Sequence, residues 1–203
     1  ARSEMCIRDR DKIKESGIAS RRCFVVETMG RDCGYLALMS GIAAGAERIY
    51  TNEDGISLDD LANDVHWLRE SFAHGRRLFL AVRNENASHN YTTDFIARLL
   101  EEESHGMYDV RQVVLGHMQQ GGSPSPFDRL LANRLGYRAL NLIDDELAAH
   151  QDGSWFIGVN ESGMRPCSMD TMPSLIDAAH RRPREQWWLQ LRTIARMVSD
   201  EVR

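Results

Sequence analysis

Short apolar runs alternate along this chain with stretches in which apolar residues recur every three or four positions. Residues 23–27 (Cys-Phe-Val-Val-Glu) form a compact, partly β-branched run that predicts a buried strand. It breaks at Thr28-Met29-Gly30-Arg31, after which Tyr35, Leu38, Ile42 and Ala46 return at helical spacing. A short strand around Arg48-Ile49-Tyr50 comes next. Ser57 then stands as an N-cap before Leu58, Leu61, Val65, Leu68 and Phe72, the clearest amphipathic helix of the chain, closed by Gly75. Residues 78–82 predict a second buried strand. Thr92 or Thr93 caps a helix carrying Phe95, Ile96, Leu99 and Leu100, whose final glutamates 101–103 oppose the helix dipole and are expected to be only solvated. Arg111 opens a strand that runs toward His117, and Phe127, Leu131, Leu135 and Leu142 mark a long helix to about Leu147. Four strand-then-helix units predict an α/β fold, a parallel sheet flanked by helices on both faces. Beyond Gly153, residues 155–159 predict one more strand, 161–173 read as irregular, and 184–203 as a helix with Trp187, Trp188, Leu191, Ile194 and Val198 on its apolar face.

Polar residues interrupt this pattern where strands should end. Residues 114–129 pass from an apolar run, expected to close a buried strand, through His117, Met118, Gln119 and Gln120 to Gly121-Gly122. The glycines allow positive φ and a close backbone approach to a ligand, and Pro126 suits a first helical position that has no use for its N–H. A strand, a glycine turn and a helix start describe an α/β ligand site, since ligands lie outside the carboxyl ends of parallel strands. Met29-Gly30-Arg31 repeats the arrangement, where free N–H groups and a helix dipole would favour an anion beside the arginine. Arg83-Asn84-Glu85 is another abrupt change, and Glu85 could accept hydrogen bonds from sugar hydroxyls. Each of these residues has an ordinary alternative as a solvated loop group, and composition does not choose between the two.

Composition narrows the field. The 203 residues are 42% apolar and 27% charged, enough for a core. No apolar run reaches the ~18 residues that argue for a membrane span, and no signal peptide is visible. A formal charge of −5 argues against a nucleic-acid partner, so an anion site here has to be a local arginine cluster. Cys6, Cys23, Cys33 and Cys167 form no C-x-x-C pair, which points to a reducing, cytoplasmic setting. Residues 1–9 carry neither periodicity nor caps and read as a non-native or assembly scar; residues 10–203 are taken as one partial domain.

Several long motifs occur in one order: Val26-Glu27-Thr28-Met29-Gly30, Cys33-Gly34-Tyr35-Leu36-Ala37, Arg83-Asn84-Glu85, Tyr91-Thr92-Thr93-Asp94-Phe95, the run from Leu115 to Arg129, and Glu185-Gln186-Trp187-Trp188-Leu189. With these the chain resembles the ATP-dependent 6-phosphofructokinase family, and within it the carboxyl-terminal, regulatory half of the duplicated animal-type enzyme. That resemblance implies a phosphofructokinase-like fold, here incomplete, and a place in the glycolytic phosphorylation of fructose 6-phosphate to fructose 1,6-bisphosphate. In that half the old sugar-phosphate site is an effector site for fructose 2,6-bisphosphate or another sugar phosphate. The matching residues are Arg22, Met29, Gly30, Arg31, Glu85, Arg111, His117, Met118, Gln119, Gln120 and Arg181. Arg22 and Arg111 are expected to reach across a subunit boundary. A sugar bisphosphate carries roughly three to four negative charges, extrapolating from one phosphate monoester, and arginine forks bind such oxygens bidentately.

The resemblance also implies ATP and Mg²⁺ in the full-length enzyme, held by glycine-rich and aspartate segments that have no counterpart in this sequence. No residue here is therefore assigned a catalytic or metal-ligating role, and the chain by itself is expected to be inactive. The expected partners are the amino-terminal half of its own chain and the other subunits of a homotetramer, with neither nucleic acid nor membrane. One residue departs from the pattern of that half: Arg31, typical of catalytic halves, stands where animal carboxyl-terminal halves usually have glycine. Gln120, where catalytic halves carry arginine, and the Arg83-Asn84-Glu85 run, which they lack, favour the regulatory half. The alternatives are a non-catalytic sugar-phosphate-binding protein and a pyrophosphate-dependent relative.

Overall fold

A computed structural model of the chain describes residues 21–160 and 163–200, which fall into two compact units. One consists of residues 21–122 with 186–200, the other of residues 123–185.

The first unit is built on a four-stranded sheet of order β2-β3-β1-β4, with β1 at Arg22–Thr28, β2 at Arg48–Tyr50, β3 at Leu78–Asn84 and β4 at Asp109–Val114. Every pairing in it is parallel. Helices α1 (Tyr35–Ala43), α2 (Leu58–Ala73) and α3 (Thr93–Glu102) connect the strands. Alternation along β1 explains the layers. Cys23 and Val25 point to one face, where Phe79 and Ala81 join Leu61, Leu68 and Phe72 of α2 and Ile96 and Leu100 of α3. Phe24 and Val26 point to the other, where Leu80 and Val82 meet Ala37 of α1. Because both faces of β1 and β3 are covered, these strands read as unbroken apolar runs. Helices α2 and α3 stand where the caps predicted them. Ser57 and Asp60 form a reciprocal capping box, and the Thr92 hydroxyl accepts the Phe95 N–H at 3.2 Å.

The structure corrects several expectations. The apolar run closing at Leu115 is only partly buried: Leu115 lies in the core, but β4 pairs with β1 alone among the described residues and Val114 is 59% exposed. β3 runs two residues past its apolar stretch, so Arg83 and Asn84 belong to the strand and are buried. Glu101 is not merely solvated, because its carboxylate accepts the Val110 N–H at the start of β4. The last element is a 3₁₀ turn, Trp187–Leu191, followed by α5 (Arg192–Asp200); Trp188 is buried with its ring 5.1 Å from Tyr35. The expectations for residues 1–9 and 201–203 lie outside the described residues.

The second unit contains α4 (Pro126–Ala149), with Pro126 in its first turn as expected and Ser125 as its cap. The further strand, β5 (Trp155–Asn160), does not extend the parallel sheet. It pairs antiparallel with β6 (Gly163–Ser168), so part of the stretch expected to be irregular is a hairpin. A two-residue ladder follows, β7 (Ile176–Asp177) against β8 (Arg182–Pro183). Among the described residues no helix is long and apolar enough to cross a membrane.

Candidate functional site

Parallel pairing carries β3, β1 and β4 to a common carboxyl edge, with Thr28 beside Asn84 and Glu27 beside both Arg83 and Val114. The ladders close with two further bonds: the Glu85 N–H donates to Thr28 O at 3.0 Å and the Leu115 N–H to Glu27 O at 3.1 Å. Met29, Gly30 and Arg31 follow β1, Glu85 follows β3, and His117, Met118, Gln119 and Gln120 occupy the 3₁₀ turn Gly116–Gln120 after β4. Strands sit ~5 Å apart, so these three turns share a strip ~10 Å across. The expectation that these strand ends meet at one edge holds.

Arg22 and Arg111 are not brought to that edge. Arg22 is the first residue of β1, at the opposite end of the sheet and ~20 Å from Thr28 at 3.3 Å per residue. Arg111 lies mid-strand opposite Phe24, and its Nη1 donates to Val110 O at 3.0 Å. Arg181 belongs to the other unit, exposed in the turn between β7 and β8 with φ of +50°. Beside it His180 Nδ1 lies 2.7 Å from Asp177 Oδ2, and that hydrogen bond holds the Asp177 carboxyl below its usual range.

Within the edge the residues divide into two kinds. Among the described residues, the side chains of Arg31, Glu85 and His117 have no hydrogen-bond or ion-pair partner; Arg31 and His117 are exposed. Gln119 is different, only 1% exposed, with its Oε1 accepting the Met29 N–H at 2.7 Å. The anion cradle expected at the start of α1 is also committed. Glu53 reaches back from the loop after β2, and both its carboxylate oxygens accept the Gly34 N–H at 3.0 Å. The protein's own carboxylate thus takes the place at this helix end that a ligand anion would favour.

Arg83 and Asn84 stood out in the sequence only as part of the Arg83-Asn84-Glu85 run, with no role assigned, and Glu53 was missed. Arg83 is 1% exposed; its Nη1 pairs with Glu27 at 3.0 Å and donates to Thr93 Oγ1 at 2.8 Å, and its Nη2 donates to Glu85 O at 3.2 Å and Ser88 O at 3.0 Å. Burial lowers its pKa and the Glu27 charge opposes that shift. One fork therefore holds the loop that presents Glu85. Asn84 donates from Nδ2 to Gly30 O at 2.7 Å. A polar pair directly after five strand-forming positions was the available signal for Arg83 and Asn84. Nothing local marks Glu53.

Gly30 is required by geometry. Its φ is +122°, and a Cβ there would lie 2.5 Å from Cys33 O. Gly30→Ala is expected to destabilise the chain by about 1–3 kcal/mol, read by urea denaturation. A change below a few tenths would mean that the turn relaxes freely.

A polar cavity of about 490 Å³ lies elsewhere in this unit, against β2, where Asp64 accepts hydrogen bonds from Arg48 and Tyr50. Among the described residues no group of histidines, cysteines and carboxylates could hold a metal ion.

A model of the phosphofructokinase family matches residues 3–143. The chain belongs to that family. It is 42% identical over 200 residues to the human muscle-type ATP-dependent 6-phosphofructokinase, covering 93% of this chain and 26% of the relative. The Dictyostelium discoideum ATP-dependent 6-phosphofructokinase is 41% identical over 191 residues, covering 93% and 23%. The Saccharomyces cerevisiae phosphofructokinase structure superposes with a TM-score of 0.89 at 32% identity, over 97% of this chain and 28% of that one. The chain thus spans about a quarter of the length of the curated relatives it matches. A pyrophosphate-dependent phosphofructokinase from Marinobacter aquaeolei has a TM-score of 0.64 at 14% identity and shares the fold alone. The resemblance to ATP-dependent phosphofructokinases and the parallel α/β fold are both borne out.

Proposed function

We propose that this chain is part of an ATP-dependent 6-phosphofructokinase, the kind of enzyme its curated relatives are, and that its carboxyl-edge site binds fructose 2,6-bisphosphate as an effector. The reading rests on one observation: Arg31, Glu85 and His117, uncommitted to the protein, project from the ends of three neighbouring strands. A cation, a ring that donates to phosphate and a carboxylate for sugar hydroxyls suit an anionic sugar. Arg22 and Arg111, too distant in their own subunit, serve the site of a neighbour. The assembly is a cytoplasmic homotetramer in which other segments hold ATP and Mg²⁺ and transfer the phosphoryl group.

The test is effector binding by a phosphofructokinase assembly carrying this chain. Each charge-assisted hydrogen bond to phosphate contributes roughly 1.5–3 kcal/mol, so His117→Ala and Arg111→Ala should each weaken fructose 2,6-bisphosphate about tenfold or more. The basal rate should hardly change, because effector and catalytic sites are distinct and coupled only through the assembly. Arg31→Gly should loosen binding slightly. If it instead lowers the maximal rate in saturating effector, the site takes part in catalysis and the effector assignment fails.

A further inference from the structure

We infer that Gln119, with Asn84, positions the effector-site turn and does not touch the ligand. Gln119 lies between two exposed neighbours, Met118 and Gln120, yet its own side chain is buried. It is buried because it serves the turn after β1. Met29 is the first residue beyond the β1 ladder, and its N–H finds its acceptor in Gln119 Oε1 at 2.7 Å. A rotation of Gln119 toward a ligand would leave that donor without this acceptor.

Asn84 grips the same turn from the other side. It is fully buried, and its Nδ2 donates to Gly30 O at 2.7 Å. That carbonyl also accepts the Cys33 N–H at 3.2 Å. The Met29-Gly30 segment, with Gly30 at φ +122°, is thereby held between residues borne by β3 and by the turn after β4. Arg31 leaves this fixed turn with its guanidinium uncommitted. The Gln119 bond also ties the His117-bearing turn to the Arg31-bearing turn, so the two ligand-facing groups keep one spacing. Preorganisation of this kind raises affinity by lowering the ordering cost of binding. The ligand in this inference is the sugar bisphosphate proposed above; the tether itself does not depend on that reading.

The experiment uses the phosphofructokinase assembly carrying this chain, with two readouts: hydrogen exchange at the Met29 amide and affinity for fructose 2,6-bisphosphate. Gln119→Met keeps side-chain length but removes the acceptor. Met29 exchange should quicken and affinity fall, each about five- to tenfold, the loss expected for one hydrogen bond. Gln119→Glu keeps an acceptor oxygen and should restore both to within about threefold of wild type. A residue in contact with phosphate would behave in the opposite way, since a carboxylate there would repel the ligand and bind worse than methionine. Asn84→Ala acts from the other side of the turn and should also quicken Met29 exchange and weaken binding. It decides the matter should Gln119→Glu not fold. Unchanged Met29 exchange in Gln119→Met, or weaker binding by Gln119→Glu than by Gln119→Met, overturns the inference. If wild type binds no fructose 2,6-bisphosphate, the effector reading falls while exchange still judges the tether.

Discussion

Arg83→Met is expected to destabilise the chain by about 3 kcal/mol, at the low end of what removing one partner of a buried ion pair costs. Arg83 is 1% exposed and serves four acceptors: the Glu27 carboxylate, the Thr93 hydroxyl and the carbonyls of Glu85 and Ser88. Methionine fills similar volume, so the loss is polar. It leaves the Glu27 carboxylate, near the end of β1, with the Thr93 hydroxyl as donor but no cation, and takes a donor from two carbonyls in the loop after β3. The Glu27 side chain is 21% exposed and recovers some solvation, which is why the low end applies. Urea denaturation would read this as a fall in midpoint of roughly 1–3 M, given slopes of about 1–3 kcal/mol per molar. Arg83→Lys should fall between the two, since an ammonium can pair with Glu27 but lacks the fork that spans to the loop carbonyls. A loss below about 1 kcal/mol for Arg83→Met would show that water replaces the network at little cost.

Phe72→Ala should cost about 3–5 kcal/mol, as other buried phenylalanine truncations do. Phe72 lies in the last turn of α2 with no solvent exposure, its ring 4.5 Å from that of Tyr108. It shares one core with Phe79, Leu100 and Val110. Truncation would open a space that α2, fixed at its start by the Ser57–Asp60 capping box, cannot close by sliding. Phe72→Leu retains most of the buried carbon and should cost under about 1.5 kcal/mol, close to a volume-conserving exchange. Equal costs for the two variants, read by urea denaturation, would mean that packing at this point is loose.

Much was determined locally and was therefore legible in the residues themselves. Ser57 and Thr92 mark helix starts because a cap bonds to an N–H within three residues, all inside one short segment, and Pro126 marks a third because a first helical position has no use for its N–H. The first three strands were visible because β1 and β3 are covered on both faces, leaving unbroken apolar runs, while β2 is short but bounded. The candidate site residues Gly30, Arg31, Glu85 and His117 stood out as polar or glycine positions interrupting those runs at strand ends.

Tertiary structure alone decided what depends on partners distant in the chain. Whether Arg83 lies within β3 or follows it turns on its pairing beside Glu27 of β1, 56 residues earlier, and no local preference encodes that pair. Gln119 looked like its neighbours His117 and Gln120, and became a tether only because β4 lies beside β1 and brings Met29 within 2.7 Å, 90 residues away in sequence. Glu53 closes the anion cradle of α1 because β2 ends near Gly34, which follows from the order β2-β3-β1-β4. Residues 155–168 give the same lesson in reverse: an apolar run predicts a strand but not its partner, and β6 made it an antiparallel hairpin. The distance separating Arg22 from the site belongs here as well. A strand's length places its two ends at opposite edges of the sheet, so residues at the two ends of β1 cannot meet in one site within the same subunit.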